Sequence, residues 1–173
     1  MTPTRRAAEQ EGFGAATPAE AQADEPVRDD EMIDEGAEDG ASPEEVVRGL
    51  FTTVFNAGEL DAVERFVSPD HRNHDPTAPP VPPGPQGVRQ LVQQYREAFP
   101  DLRFEIDEIF ATGDRVAHRW RMSGTHEGEI MDIAPTGRRV EVSGIEINRI
   151  ARGKVAESWA VSDSAGLREQ LEG

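Results

Sequence analysis

The chain has 173 residues, no cysteine, and 34 acidic against 18 basic residues, which gives a formal net charge of −16. This length allows one domain with its own core plus an appendage, and the lack of cysteine excludes disulfides and thiolate metal sites. The negative charge disfavours nucleic acid and anionic membranes as partners, and no apolar run is long enough for a transmembrane helix or an export signal, so we expect a cytoplasmic protein.

Residues 1 to 41 are rich in Ala, Glu, Asp, Gly and Pro and show no helical or strand period that would bury a face. They are predicted to form a disordered acidic arm. Such an arm is either an acidic interaction tail or a solubilising extension, and we favour the extension. The folded domain is predicted over residues 42 to 173.

Two helices are predicted at the start of this domain. Ser42 can cap the first helix, with Pro43 at its first position and Glu45 completing a capping box. Apolar residues then recur at three- and four-residue spacing until Asn56-Ala57-Gly58 stops the run: Val46, Val47, Leu50, Phe51, Val54 and Phe55. A second short helix is predicted from Leu60 to Val67, ended by Ser68-Pro69, and forms a hairpin with the first.

An irregular segment is predicted before a third helix. His71 to Pro76 is a short extended piece, and Pro79 to Pro85 is a loop too rich in proline for regular structure, placed to rim a pocket. The third helix follows and ends at Pro100. Its buried stripe consists of Val88, Leu91, Val92, Tyr95 and Phe99.

From residue 104 onward the apolar period changes to that of strands. Phe104, Ile106 and Phe110 alternate with polar residues, and after a turn the same alternation is shown by Val116, His118, Trp120 and Met122. This pattern predicts a β-hairpin with one solvent-exposed face. Two further strands are predicted at about Arg138 to Ile150 and Lys154 to Ser162, and a last short helix follows them. The predicted fold class is α+β, with helices first and a curled antiparallel sheet after them.

Several short motifs occur in a fixed order over residues 43 to 173. They are Phe55-Asn56-Ala57-Gly58-Glu59-Leu60-Asp61, Asn73-His74-Asp75-Pro76, Ala98-Phe99-Pro100-Asp101-Leu102, Gly124-Thr125-His126-Glu127-Gly128-Glu129, Pro135-Thr136-Gly137-Arg138-Arg139-Val140, Ser143-Gly144-Ile145, and Trp159 with Asp163. In these motifs and in element order the chain resembles the SnoaL-like polyketide cyclase and ester cyclase family of the nuclear transport factor 2-like superfamily. The resemblance implies a cone-shaped α+β barrel, in which a curved antiparallel sheet wraps around the N-terminal helices.

The resemblance also implies an activity. Characterised cyclases of the family use an aspartate near the chain end as general acid and base for an intramolecular aldol ring closure, without metal or cofactor, and Asp163 matches that position. A carboxylate in a pocket that excludes water has a raised pKa, so it can both accept and donate a proton. His118 is the second catalytic candidate, as a hydrogen-bond donor. The residues expected to bind substrate are Phe51, Phe55, Asn73, His74, Tyr95, Trp120, Asn148 and Trp159.

Several of these residues also have purely structural interpretations. Asp163 can cap the last helix, Trp159 can belong to the core, and His118 can be a hydrogen-bonded core histidine. His71, His74 and Asp75 look like metal ligands, but residues 71 and 74 of an extended segment point to opposite faces, so no metal site is predicted. His126 is expected to be solvated. Glu146, Asn148 and Arg149 occupy the strand on which cyclising members tend to carry a histidine.

The sequence leaves open whether the chain is an enzyme. The first hypothesis is a cofactor-independent cyclase acting on a hydrophobic carbonyl compound. The alternatives are a non-catalytic module that binds a small ligand, and an epoxide hydrolase or ketosteroid isomerase-like enzyme. The expected partners are a small hydrophobic molecule and a second copy of the chain, which would cover the exposed sheet face in a homodimer.

Overall fold

A computed structural model describes residues 40–76, 78 and 80–173. The predicted acidic arm, residues 1 to 41, lies outside the described residues except for its last two. Among the helices of the described part, none is long and apolar enough to cross a membrane.

The first helix begins as predicted and widens along its length. α1 spans Pro43–Gly49 and continues directly as a π-helical segment, Leu50–Asn56. Ser42 Oγ accepts from Glu45 N at 3.3 Å, and Ser42 N donates to Glu45 Oε2 at 2.7 Å, which confirms the capping box. Gly58 ends the run with a φ of 74°, a conformation that glycine adopts at little cost.

The second helix is shorter than predicted because a strand begins earlier. A 3₁₀ turn at Leu60–Ala62 leads into α2, Val63–Phe66, and β1 follows at once over Val67–Asn73. The predictions that the helix reaches Val67 and that the extended piece starts only at His71 are therefore wrong. β1 pairs with the last strand, β5, but the register shifts between Val67 and Arg72. The stretch between these two residues is unpaired. It can therefore accommodate Pro69, which has no N–H to donate.

The remaining elements follow the predicted order. They are α3 (Pro85–Ala98), β2 (Arg103–Thr112), β3 (Arg115–Thr125), β4 (Arg139–Ala151), β5 (Lys154–Ser162) and α4 (Ser164–Glu172). The strands form one sheet in the order β1-β5-β4-β3-β2. β1 and β5 run parallel and all other neighbours run antiparallel. A curved sheet combined with helices confirms the predicted α+β fold class.

The sheet has two unlike faces. Its inner face packs against the helices, and the core that they share includes Val47, Phe51, Phe99, Phe104, Val116, Trp120, Met122, Val140, Val142 and Leu171. The predicted alternation on β3 is confirmed, since residues 116, 118, 120 and 122 are all buried. The outer face carries large apolar side chains that are exposed, namely Phe110, Ile145, Ile147 and Val161. The enclosed part of the domain therefore lies against the inner face.

Candidate active site

A cavity of about 530 Å³ lies between the inner face of the sheet and the helices. This volume is typical of small-molecule sites. Most of the wall is apolar or aromatic. Its polar part includes five acidic residues, Asp75, Glu97, Glu129, Asp132 and Glu146, and among the described residues that line it there is no lysine or arginine.

Five of the residues expected to bind substrate lie on this wall: Phe51, Phe55, Asn73, Tyr95 and Trp120. Phe51 stacks on Phe55 with 5.0 Å between ring centroids, and Phe104 meets Trp120 edge-on at 5.3 Å. These aromatic contacts make a continuous apolar surface over which a flat hydrophobic molecule can lie.

The loop between β1 and α3 forms another part of the wall. Ala78, Val81 and Pro82 all line the cavity, so the prediction that the proline-rich loop rims a pocket is confirmed. The loop is held close to the strand because Gly84 N donates to His71 O at 2.8 Å.

Asp163 lies outside the cavity. Its side chain is exposed and caps α4, with Oδ1 accepting from Gly166 N at 2.8 Å. On β5 the cavity-facing residues are Ser158, Ala160 and Ser162, so the alternate positions project to the outer face. The expectation that Asp163 faces the pocket is wrong, and of its two interpretations the geometry supports the helix cap.

Trp159 and His74 belong to the outer face as well. Their rings stack with 4.9 Å between centroids, and the Arg115 guanidinium lies 5.0 Å from the Trp159 ring centroid. His74 Nε2 is 3.0 Å from Glu157 Oε2. Neither ring lines the cavity, so the expectation that they bind substrate there is wrong, for the same reason of strand alternation.

His118 and Asn148 are buried behind the wall and do not line the cavity. His118 meets the Phe51 ring edge-on at 5.1 Å between centroids, and neither of its ring nitrogens has a hydrogen-bond partner within the described part. Burial, assisted by the charge of Arg48, lowers the pKa of His118 to about 4, so the ring is neutral at physiological pH. His118 Nε2 lies 3.8 Å from Glu146 Oε2, beyond hydrogen-bond distance.

Glu146 is the acidic residue that the sequence analysis did not select. It projects from β4 onto the cavity wall, and only 16% of its side chain is exposed. Burial raises the pKa of Glu146 from 4.5 to about 7, against the lowering effect of hydrogen bonds from Asn148 and Ser158, and the charge of Asp75 adds to the rise. A carboxyl with a pKa near neutrality can both take up and release a proton.

Three polar side chains extend from this carboxyl across the inner face. Asn148 Nδ2 donates to Glu146 Oε1 at 2.6 Å and also to Ser158 Oγ at 2.9 Å. Ser158 Oγ lies 3.1 Å from His71 Nε2 on β1, and His71 itself lines the cavity. Burial, reinforced by the nearby His74, lowers the pKa of His71 to about 4, which keeps its ring neutral.

Two hydrogen-bond donors face the same cavity. Trp120 is buried, and its Nε1 has no acceptor among the described residues. Burial and the charge of Asp75 raise the pKa of Tyr95, so its hydroxyl stays protonated. Both side chains are wall residues and can donate to an oxygen of a bound molecule.

One signal in the sequence pointed to Glu146. The inner face of β4 is formed by alternate residues, Val140, Val142, Gly144, Glu146 and Asn148, and four of these five are buried. Burying a carboxylate on such an apolar face costs free energy, so a glutamate at this position indicates a functional or structural role.

The structure also shows which way the other predicted histidines point. His71 faces the cavity and His74 the outer face, so the two point to opposite faces as predicted, but it is His71 and not His74 that reaches the cavity. In the described part of the chain, no group of three potential metal ligands lies together. The expectation that His126 is solvated is wrong, because it is fully buried and its Nδ1 accepts from Thr136 N at 3.2 Å.

Known proteins are similar to this chain in sequence and in fold. The sequence model of the SnoaL-like polyketide cyclases matches residues 45–171. Nogalonic acid methyl ester cyclase from Streptomyces nogalater is 29% identical over 120 residues, covering 69% of this chain and 90% of that protein. Aklanonic acid methyl ester cyclase DnrD from Streptomyces peucetius is 27% identical over 123 residues, covering 68% and 82%.

Solved structures give the same result. IdmH from Streptomyces antibioticus has a TM-score of 0.67 and 33% identity, with 77% of this chain and 100% of that chain covered. TsrD from Streptomyces laurentii has a TM-score of 0.69 and 28% identity, with 78% and 97% covered. The similarity therefore extends over nearly the whole described domain.

Proposed function

The chain belongs to the SnoaL-like polyketide cyclase family, and from that membership we propose that it catalyses an intramolecular aldol-type ring closure without a cofactor. Glu146 serves as the general base and then as the general acid. The observation that carries this proposal is a carboxyl with a pKa of about 7 on the wall of an apolar cavity.

The proton balance of the reaction is met by one carboxyl group. Ionised Glu146 takes a proton from the carbon next to a carbonyl, and the electron pair left behind forms an enolate. The enolate carbon bonds to a second carbonyl carbon of the same molecule, whose oxygen becomes an alkoxide. The proton on Glu146 then moves to that alkoxide, which restores the carboxylate for the next cycle.

The enolate needs hydrogen-bond donors that are already in place. Trp120 Nε1 is buried without an acceptor of its own in the described part, and the Tyr95 hydroxyl stays protonated. In a site that excludes water, a donor without an acceptor forms its strongest hydrogen bond when negative charge develops on a nearby oxygen. The aromatic wall around Phe51 and Phe55 supports the same step, because it excludes water from the enolate.

An uncharged polyketide ester is the substrate that suits this cavity. The two relatives are named as cyclases of nogalonic and aklanonic acid methyl esters. A free carboxylate would meet an acidic wall with no lysine or arginine among its described residues, whereas an ester carries no charge to be repelled. We therefore propose a hydrophobic carbonyl compound with its acid group esterified.

Turnover of those two methyl esters, followed by chromatography of the cyclised product, tests the proposal. Glu146→Gln is expected to lower kcat by about 10²- to 10⁴-fold, since only the proton transfer is lost. Asp163→Asn keeps a capping side chain and is expected to leave kcat unchanged. Loss of activity in Asp163→Asn alone would return the catalytic role to Asp163, and binding of either ester without turnover by the wild type would favour the ligand-binding module.

We include a cytoplasmic homodimer in the proposal. Phe110, Ala117, Ile147 and Trp159 are register partners across β2 to β5, and Ile145 pairs with Val161 beside them. Exposed fractions of 59% for Phe110, 58% for Ile145 and 66% for Val161 are high for such side chains and favour a second copy against this face. Ile147→Glu is expected to yield a monomer in sedimentation velocity, and an unchanged sedimentation coefficient would contradict the dimer.

A further inference from the structure

The carboxyl of Glu146 is hydrogen-bonded to a buried amide on its own strand. Asn148 follows two positions later on β4, so both side chains project from the inner face. Asn148 Nδ2 donates to Glu146 Oε1 at 2.6 Å. Only 1% of Asn148 is exposed, and it lies behind the cavity wall, whereas Glu146 is part of that wall. A bound molecule would therefore touch Glu146 and not Asn148.

A second hydrogen bond fixes the orientation of this amide. Asn148 Nδ2 also donates to Ser158 Oγ at 2.9 Å, and Ser158 is the register partner of Asn148 on β5. Ser158 Oγ lies in turn 3.1 Å from His71 Nε2 on β1. An amide nitrogen carries two hydrogens, and both are engaged here. Turning the amide over would break both of these hydrogen bonds at once.

The same orientation leaves a buried acceptor unpaired. Asn148 Oδ1 is buried and has no hydrogen-bond partner in the described part of the chain. Burying an amide oxygen in this way costs free energy. The opposite orientation would place Oδ1 against the Glu146 carboxylate, two acceptors facing each other, so the observed orientation suits the ionised form of Glu146. An unpaired polar atom kept next to this carboxyl indicates a functional role for the amide.

We propose that Asn148 is a positioning residue for the general base, because it holds Glu146 Oε1 in place and stabilises the ionised carboxylate in an apolar wall. A hydrogen bond to a charged group is stronger than one between neutral groups. It also presents the carboxylate in one orientation, and a displacement of about 1 Å can cost about 10²-fold in rate. This inference rests on the proposed function, to which it adds a residue that acts on the substrate only through Glu146.

The same hydrogen bond adjusts the acid strength of Glu146. Burial raises the pKa of Glu146 to about 7, and the bond from Asn148 opposes that rise. Two other titratable groups bear on the carboxyl: the charge of Asp75 raises its pKa further, and His118 Nε2 faces Oε2 from β3 at 3.8 Å. The His118 ring is neutral at physiological pH and adds no charge. Without Asn148, we expect Glu146 to be protonated at neutral pH and unable to act as a base.

NMR of the free protein tests the hydrogen bond directly. Side-chain amide and carboxyl signals of the labelled full-length chain are assigned by through-bond correlation and followed from pH 5.5 to 9.5. We expect the Asn148 amide protons to shift with the same midpoint as the Glu146 carboxyl, near 7. Asn73 is an internal control on the same wall, because its Oδ1 accepts from Asp75 N at 3.2 Å, and its amide should not follow that midpoint. Asn148 amide signals that stay still while Glu146 titrates would overturn the proposal.

Two variants extend the titration. Asn148→Leu keeps a branched side chain without a donor, and the Glu146 midpoint should rise by about one to two pH units, the effect of one hydrogen bond to a charged group. Val63→Ala removes buried apolar contacts on α2 away from the cavity, so it should lower stability and leave the Glu146 midpoint unchanged. A Glu146 midpoint that is the same in Asn148→Leu as in the wild type would contradict the positioning role.

Turnover of the methyl esters separates orientation from acid strength. At pH 9.5 most of the Glu146 carboxyl is ionised in the wild type and in Asn148→Leu, and a base of higher pKa removes a proton at least as fast. A fall in kcat at this pH, expected to be about 10- to 100-fold with KM unchanged, therefore reports lost orientation. Wild-type kcat in Asn148→Leu would overturn the proposal. Absence of turnover by the wild type would refute the proposed function, and the amide titration would still decide whether Asn148 holds Glu146.

Discussion

Replacing Glu146 by glutamine is expected to change how stability depends on pH. The pKa of Glu146 rises from 4.5 in the unfolded chain to about 7 in the fold because the carboxyl is buried. Between these values the unfolded state binds fewer protons than the folded state, so this group makes stability fall as pH rises. The shift of about 2.5 pKa units corresponds to a loss of about 3 kcal/mol, complete above about pH 8.

Urea unfolding, followed by tryptophan fluorescence between pH 4.5 and 8.5, measures this loss. The free energy of unfolding of Glu146→Gln minus that of the wild type should grow by about 3 kcal/mol across the range, mainly between pH 5 and 7. His71 and His118 titrate lower, with pKa values of about 4, and are present in both proteins, so their effect cancels in the difference.

A second carboxyl gives a control of opposite sign. Although burial raises the pKa of Glu157, hydrogen bonds from Arg149 and His74 bring it below its usual value. Glu157 therefore contributes stability that is present above its unfolded pKa of 4.5 and is lost as pH falls below it. The stability of Glu157→Gln relative to the wild type should fall as pH rises through about 4.5 and then stay level, whereas that of Glu146→Gln rises up to about pH 7. A Glu146→Gln difference that stays flat from pH 4.5 to 8.5 would show that the carboxyl is not in a dry site.

Three further predictions concern the site and its supports. The kcat/KM of the wild type should rise about tenfold per pH unit up to about 7 and then level off, since the base must be ionised; a profile that falls over this range would contradict a carboxylate base. Asp163→Ala should cost about 1 kcal/mol in thermal unfolding through loss of the α4 cap and leave turnover intact, and a large loss of turnover would be inconsistent with its place outside the cavity. Gly144→Ala should shift tryptophan emission and lower kcat, because a Cβ there would lie 2.3 Å from Trp120 Cζ2; wild-type turnover in this variant would argue against a role for the indole.

The helices and β3 were predictable because their buried residues are apolar and recur at the period of the element, while the residues between them are polar. On β3 the inner residues alternate with Arg115, Arg119 and Arg121, and the unfavourable burial of guanidinium groups decides which face turns inward. The capping box at Ser42 was equally clear, since it depends on residues three apart in sequence. The π-helical widening and the early start of β1 were not predictable, because both depend on how distant elements pack.

The error at Asp163 has a specific physical cause. Both faces of β5 are apolar enough to be buried, since the outer face of the sheet exposes Val161, Ile145 and Ile147. The hydrophobic pattern therefore does not distinguish the inner face of β5 from the outer face. The large Trp159 ring led to the prediction that its face lines the pocket, whereas it lies on the outer face. Glu146 lies on the inner face, defined by Val140 and Val142 on the same strand, and that alternation would have identified it.

The most direct test of Glu146 as the base is deuterium exchange into a bound methyl ester. The ester is incubated with protein in D₂O, and NMR or mass spectrometry reports deuterium at the carbon next to the carbonyl, whether or not the ring closes. We predict that the wild type incorporates deuterium and that Glu146→Gln slows incorporation by at least about 100-fold, while Asp163→Asn exchanges at the wild-type rate. Exchange at the wild-type rate in Glu146→Gln would contradict the assignment of Glu146 as the base.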